Sequence, residues 1–312
     1  ANHLVSKLDK KDWNITIVDQ YATHYYQPGF LFLPFDIYTT KQVKKKGEKF
    51  IPKGVNYIQE KIEIIVPEAN KVTLESGKDL LYNILIIHIC EMPIKCPVAP
   101  LEFAFLADSY FKHKGMRDKV DITFVTPLDG AFTKPKATQA LHYLLEEKNI
   151  KEVTNFNIER VDYENNKIID YADTEVEYDL LVTVPTNMGD ALNYIPTNKA
   201  TLQSIAHDNI FAIGDATNLP ASKAGSVAHF EAEILTDNIV RYINGQPLKE
   251  EFDGHANCFI ETGNGKALLI DFNYTHEPVE GTFPFPGVGP LSLLKESRIN
   301  HMGKMAFRWI YW

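Results

Sequence analysis

Hydrophobic and polar positions along this chain fall into one pattern written twice. Ile15-Thr16-Ile17-Val18-Asp19 and Ile122-Thr123-Phe124-Val125-Thr126 are short apolar runs that predict buried strands. A helical spacing lies ahead of each: Ala1, Leu4, Val5 and Leu8 share one face, as do Phe103, Leu106 and Tyr110. Behind the strands come two similar stretches, 55–87 and 153–184. The first reads Glu60-Lys61-Ile62-Glu63, Asn70-Lys71-Val72-Thr73-Leu74 and Tyr82-Asn83-Ile84-Leu85-Ile86-Ile87. The second reads Glu159-Arg160-Val161-Asp162, Asn166-Lys167-Ile168-Ile169 and Tyr178-Asp179-Leu180-Leu181-Val182. Alternation around an Asn-Lys turn predicts a β-meander, and the apolar run that closes each copy predicts a buried parallel strand. Duplication is the simplest account.

Two such units predict an α/β fold of two Rossmann-like dinucleotide-binding domains with β-meander insertions. The apolar run at Ile210 returns to complete the first, which makes that domain discontinuous. The boundaries expected are 1–87 for the first segment, 88–192 for the second domain with Cys96, 193–248 for the return and 249–312 for a C-terminal domain with Cys258. The glycine-rich turn that should open the first helix lies ahead of Ala1. Ile84 to Ile87 passes straight into His88-Ile89-Cys90-Glu91-Met92-Pro93, and Gly189 to Tyr194 is equally abrupt. These places, the N-terminus, 87/88 and 192/193, are expected to be breaks where residues have dropped out.

At 312 residues the chain is long enough for two domains, and its 45% hydrophobic and 23% charged content is ordinary for a globular protein. A net charge of -9 argues against a nucleic-acid surface, which needs lysine and arginine in excess. Three cysteines are too few for a secreted disulfide framework, and their wide spacing is not that of a zinc site, so no metal is expected. No run of about 18 apolar residues predicts a membrane span. Ala1 to Asp12, charged and without an apolar core, does not read as a signal peptide.

The densest chemistry lies in Ile210-Phe211-Ala212-Ile213-Gly214-Asp215-Ala216, followed by Lys223-Ala224-Gly225-Ser226-Val227-Ala228-His229. An apolar strand ending in Gly-Asp, then a loop of small residues opening a helix, puts a carboxylate and backbone N–H groups where a phosphorylated cofactor can lie. A helix-capping Asp would give the same Gly-Asp pair. The whole stretch resembles the second FAD-binding motif of the two-dinucleotide-binding-domain flavoproteins, and its Ser-Lys-Ala-Gly continuation is similar to the sulfide:quinone oxidoreductase branch. The resemblance implies FAD as cofactor, with Gly214 and Asp215 at the ribityl chain and Lys223, Ala224 and Gly225 at the pyrimidine end of the ring. Lys223 would then stabilise negative charge near that end; its other reading is an exposed lysine at a helix start. Asp19 closes the strand whose terminal acid meets the adenosine ribose in such folds. Tyr25-Tyr26-Gln27-Pro28-Gly29-Phe30 resembles the family segment that passes the flavin, with Pro28 as its neighbour, and reads equally as a loop anchor.

Where a second dinucleotide would bind, the crossing reads Met92-Pro93-Ile94-Lys95-Cys96-Pro97-Val98-Ala99-Pro100-Leu101-Glu102. Prolines remove N–H donors and take the place of the glycines that a pyrophosphate needs, which argues against NADH. Cys96 precedes a helix, whose dipole favours a thiolate, although a lone cysteine is commonly a space-filler. The Lys-Cys-Pro-x-Ala-Pro-x-Glu run resembles the redox-cysteine segment of sulfide:quinone oxidoreductases. That resemblance implies Cys258 as the second redox cysteine and leaves Cys90 a strand residue. It implies further that sulfide attacks a disulfide or polysulfide bridge between Cys96 and Cys258, leaving a persulfide on one sulfur and a thiolate that adds to the flavin. Glu102 is either a proton relay or a first-turn helix carboxylate.

The end of the chain is rich in aromatics. On a helix, Met302, Met305, Ala306, Trp309 and Ile310 share a face, with Lys304 and Arg308 elsewhere, a spacing that suits the bilayer interface and equally a core-packing helix. The resemblance implies a membrane-docking region, with Phe285, Phe307 and Trp309 as quinone contacts. It implies as partners sulfide, a membrane quinone and the membrane surface, and a peripheral, monotopic location at the cytoplasmic face; a homo-oligomer stays open. The alternatives are the flavoprotein subunit of a flavocytochrome-type sulfide dehydrogenase, a type II NADH:quinone dehydrogenase and an inactive flavin-bearing membrane scaffold.

Overall fold

The structure is a computed structural model that describes residues 1–89, 98–183 and 194–312. The chain forms two compact units, Ala1–Met92 with Met188–His255 and Pro93–Asn187 with Ala256–Trp312. Among the described residues the α-helices are α1 (Asn2–Lys7), α2 (Ala99–His113), α3 (Pro135–Glu147), α4 (Gly225–Ile243) and α5 (Arg298–Tyr311).

In the first unit, strand Ile15–Val18 pairs in parallel with Val55–Ile58, and Leu85–Ile89 pairs in parallel with Ile210–Gly214. Every residue of Ile210–Gly214 is buried, which explains its unbroken apolar reading: both faces of the strand are covered. Ile210, Phe211 and Ile213 each contribute about 1.5–3 kcal/mol by that burial. α4 packs on this strand and α1 on α4, where Leu4 is the buried residue of α1 and Lys7 pairs with Asp237.

In the second unit, Ile122–Val125 and Ile150–Val153 pair in parallel across the α3 crossover. Ala256–Gly263 and Lys266–Phe272 form an antiparallel hairpin, and Leu291–Leu293 and Gly281–Phe283 extend it to four strands. The hairpin turns at Asn264 and Gly265, both with positive φ, as the right-handed twist of a tight hairpin requires.

The duplication is visible at atomic detail inside each unit. Ile62–Val66, Lys71–Leu74 and Asp79–Leu81 form one antiparallel meander; Ile158–Asp162, Lys167–Asp170 and Glu175–Glu177 form the other. Asn70 and Asn166 hold the same left-handed turn, with φ of 48° and 54°. The next lysine crosses to an acid eight residues on in both copies, Lys71 to Asp79 at 2.9 Å and Lys167 to Glu175 at 2.6 Å. Tyr82 and Tyr178 each donate their N–H to the matching Asn carbonyl at 2.9 Å.

Two expectations are corrected. The run at 178–182 does not form a strand: it has no ladder partner among the described residues, and Leu180 is 82% exposed. Its counterpart does form one, because Ile210–Gly214 supplies a ladder. On α2 the buried positions are Leu101, Glu102, Ala104, Phe105, Leu106, Asp108 and Ser109, while Tyr110 is exposed. Packing against both Ile122–Val125 and Ala256–Gly263 buries more of that helix than a single stripe would. The expected break at 87/88 lies at the strand Leu85–Ile89, and that at 192/193 lies outside the described residues.

Candidate functional site

The first unit's site is built at the carboxyl end of the buried strand Ile210–Gly214, the end of a parallel pair where ligands bind. Gly214 has φ +67°, a left-handed conformation that costs glycine nothing, and it turns the chain so that Asp215 follows half-buried. Thr217 closes the turn: its N–H and hydroxyl both donate to the Gly214 carbonyl, at 3.2 and 2.9 Å. Ala224 stands at the N-cap of α4 and supplies no side-chain cap, and the positive end of this 19-residue helix's dipole lies beside it.

Lys223 lies between these two features. It is half-buried, donating to the carbonyls of Thr217 at 2.8 Å and Leu219 at 3.3 Å, with Tyr194 beneath it at 5.4 Å from the ring centroid. Desolvation pushes its pKa down; the charges of Asp215 and Glu231 oppose that shift.

Glu231, on α4, is a residue that the sequence reading missed. It is 1% exposed, and the Gly214 N–H donates to its Oε2 at 2.6 Å. Burial pushes its pKa up to about 7, against the Gly214 hydrogen bond and Lys223, while Asp215 adds to the rise. The available signal was the row Val227, Glu231, Leu235, spaced by four on one helix face with a carboxylate in the middle.

At the carboxyl end of the unit's other parallel pair, Asp19 is exposed just past Ile15–Val18 and accepts the Tyr21 N–H at 2.9 Å. Pro28 is exposed in a 3-10 helix, Gln27–Phe32, that opens beside the buried Tyr26. A Cβ on the neighbouring Gly29 would meet Tyr26 and Val43 at 2.7 Å, so the bend there needs glycine.

The second unit carries the remaining candidates. Cys258 is 8% exposed on Ala256–Gly263, opposite Ile270. Cys96 and Cys90 lie outside the described residues. Glu102, in the first turn of α2, is 3% exposed; it accepts the Glu261 N–H at 2.7 Å and the ammonium of Lys304 on α5. Burial raises its pKa, and Lys304 opposes the rise. Lys304 also donates to the Phe259 carbonyl at 3.1 Å, and His301 Nδ1 lies 3.0 Å from the buried Glu261 carboxylate. Glu102, Glu261, His301 and Lys304 therefore make one network.

That network sets the rotation of α5. Asn300 and Lys304 are its buried residues, and Asn300 exchanges hydrogen bonds with Ser292, accepting at 2.9 Å and donating at 2.8 Å. The apolar positions face outward: Met302 is 67% exposed, Trp309 73% and Ile310 79%. Phe307 lies at the edge of this face, and Phe285 is exposed in the loop after Gly281–Phe283. Among the described residues no helix is long and apolar enough to cross a membrane.

The fold is shared with solved oxidoreductases built on two dinucleotide-binding domains, and the Gly214–Asp215 turn closes a buried strand of the first of these units. Within that fold the chain is similar to the sulfide:quinone oxidoreductases. The mitochondrial sulfide:quinone oxidoreductase of Dictyostelium discoideum is 26% identical, matching 91% of this chain and 77% of its own. The solved sulfide:quinone oxidoreductase of Aquifex aeolicus superposes with a TM-score of 0.79 at 20% identity, over 99% of this chain and 86% of that one. The same fold is found in a chain of the Tetrahymena thermophila mitochondrial ATP synthase, with a TM-score of 0.74 at 18% identity over 96% of this chain and 88% of that one. No family model matches the chain.

Proposed function

We propose that this protein is an FAD-dependent oxidoreductase that oxidises sulfide to sulfur or polysulfide and delivers the electrons to a membrane quinone. The observation that carries the reading is the Gly214 turn facing an uncapped α4, in a chain similar over nine-tenths of its length to enzymes of that name. The residues present fit FAD: a left-handed glycine brings backbone close, the positive end of the α4 dipole favours an anion, and Asp215 follows that glycine half-buried. Gly214, Asp215 and the Lys223 to Gly225 segment would hold the ribityl and ring end, Asp19 the adenosine ribose, and Pro28 would border the ring. Bound there, FAD supplies a two-electron acceptor.

The protein's own residues supply the sulfur chemistry. A hydrosulfide attacks one sulfur of a Cys96–Cys258 disulfide; the S–S bond breaks, a persulfide forms on the attacked cysteine and the other leaves as a thiolate. Lys223 offers positive charge where the site becomes negative. Glu102 is buried, and that burial raises its pKa against the pull of Lys304, which suits it to pass a proton within the second unit. The outward apolar face of α5 suits peripheral docking at the cytoplasmic face of a membrane, with Phe285, Phe307 and Trp309 as contacts for quinone.

The test is anaerobic addition of sulfide, then NADH, to the FAD-loaded protein, with and without a soluble quinone. Bleaching of the flavin by sulfide and recovery with quinone is expected, and Cys258→Ser should abolish it. Bleaching by NADH alone would overturn the reading in favour of an NADH dehydrogenase, and bleaching by neither in favour of an inactive scaffold.

A further inference from the structure

Glu231 takes no part in the function proposed above, yet it sits under the turn on which that function depends. Its carboxyl lies between Val227 and Leu235 on the buried face of α4 and, among the described residues, accepts a hydrogen bond from the Gly214 N–H. A buried carboxyl gains little from being charged. The charges acting on it come from both elements beside it, Lys223 from the loop ahead of α4 and Asp215 from the loop after Ile210–Gly214. α1, which also packs on α4, directs Lys7 to Asp237 instead, six residues further along the helix.

We propose that Glu231 is a proton-holding positioning residue whose charge, transmitted through the Gly214 amide, sets the net charge of the flavin-facing turn. The proposal rests on the FAD reading. With Glu231 ionised, Asp215, Glu231 and Lys223 sum to one negative charge; with Glu231 protonated they sum to zero. A turn of zero net charge accommodates incoming negative charge better. Electrons delivered to the site therefore favour the protonated form, and a proton follows them onto Glu231. Glu231 touches no reacting atom in this scheme; it acts through Gly214 and the charges of the turn. Its pKa of about 7 puts the change of state in the neutral range.

Two measurements on the full chain test this. The first follows the Gly214 amide by NMR from pH 5 to pH 9 in the native protein and in Glu231→Gln, which keeps an acceptor for the amide and cannot ionise. One titration step is expected in the native chain and none in the variant. The second follows the midpoint potential of bound FAD over the same range. The two curves should meet at low pH, where both side chains are neutral, and the native potential should fall below that of the variant as pH rises through the step. Absence of the amide step overturns the proposal, as do superimposable potential curves. A chain that takes up no FAD defeats the functional reading and the coupling with it, while the amide still decides whether Glu231 exchanges a proton.

Discussion

Lys304 on α5 reaches into the second unit to the Glu102 carboxylate on α2, so the helix that presents an apolar face outward is held by a charge facing inward. Breaking a buried pair by removing one partner leaves an uncompensated charge, at a cost of about 3–5 kcal/mol. Lys304→Met should lower unfolding stability by that order in urea titrations. Combining it with Glu102→Leu should recover most of the loss, because neither member of the pair is then left without its partner. Equal losses in the single and double variants would show that packing, not charge, holds α5.

Stability should fall as pH rises through neutrality, and Glu231 should carry much of the change. Its ordinary value is 4.5, and in the fold it lies at about 7, so the folded state binds the proton more tightly than the unfolded chain. Its stabilising contribution is full below about pH 4.5, declines as pH rises from there to about 7, and is absent above. Glu231→Gln should therefore match the native protein near pH 4.5 and exceed it by about 1–3 kcal/mol at pH 8. Thermal unfolding of both proteins across this range checks the sign.

The outward face of α5 should bind lipid without contributing to the fold. Trp309 and Ile310 are largely exposed, so replacing both with serine should change unfolding stability by less than about 1 kcal/mol. The same change should reduce cosedimentation with liposomes at least tenfold, since interfacial binding scales with buried apolar area. Retained liposome binding would move the docking surface elsewhere.

Cofactor retention should depend on the Gly214–Asp215 turn. Gly214→Ala places a side chain in a left-handed conformation at a cost of about 1 kcal/mol, and Asp215→Asn removes a charge while keeping shape. Equilibrium dialysis should find FAD bound about tenfold more weakly in Asp215→Asn. Unchanged affinity would remove Asp215 from the site.

Elements governed by local rules were legible in the sequence. The Asn-Lys turns at Asn70 and Asn166 are such elements, because asparagine tolerates the left-handed conformation that a meander turn needs. Ile210–Gly214 was legible because full burial on both faces leaves a strand no polar position. The run at 178–182 was misread for the complementary reason: its composition matches that of Leu85–Ile89, and only a ladder partner distinguishes a strand from a loop. At the candidate site, Gly214, Asp215 and Lys223 lie close enough in sequence to read together. Glu231 does not, since its link to Gly214 spans 17 residues and exists only once α4 has packed on the strand.

By itself the sequence determined the repeated strand–meander pattern, the strand-to-helix turn at Gly214 and the amphipathic spacing of the last helix, because backbone conformation and periodicity are properties of neighbouring residues. Tertiary structure decided which face of each helix is buried and which carboxylates are charged. Lys304 reads as a surface lysine until Glu102 and the Phe259 carbonyl surround it, and Glu231 as one more helix acid until burial removes its water. Desolvation depends on what packs around a group, and that is settled by residues far away along the chain.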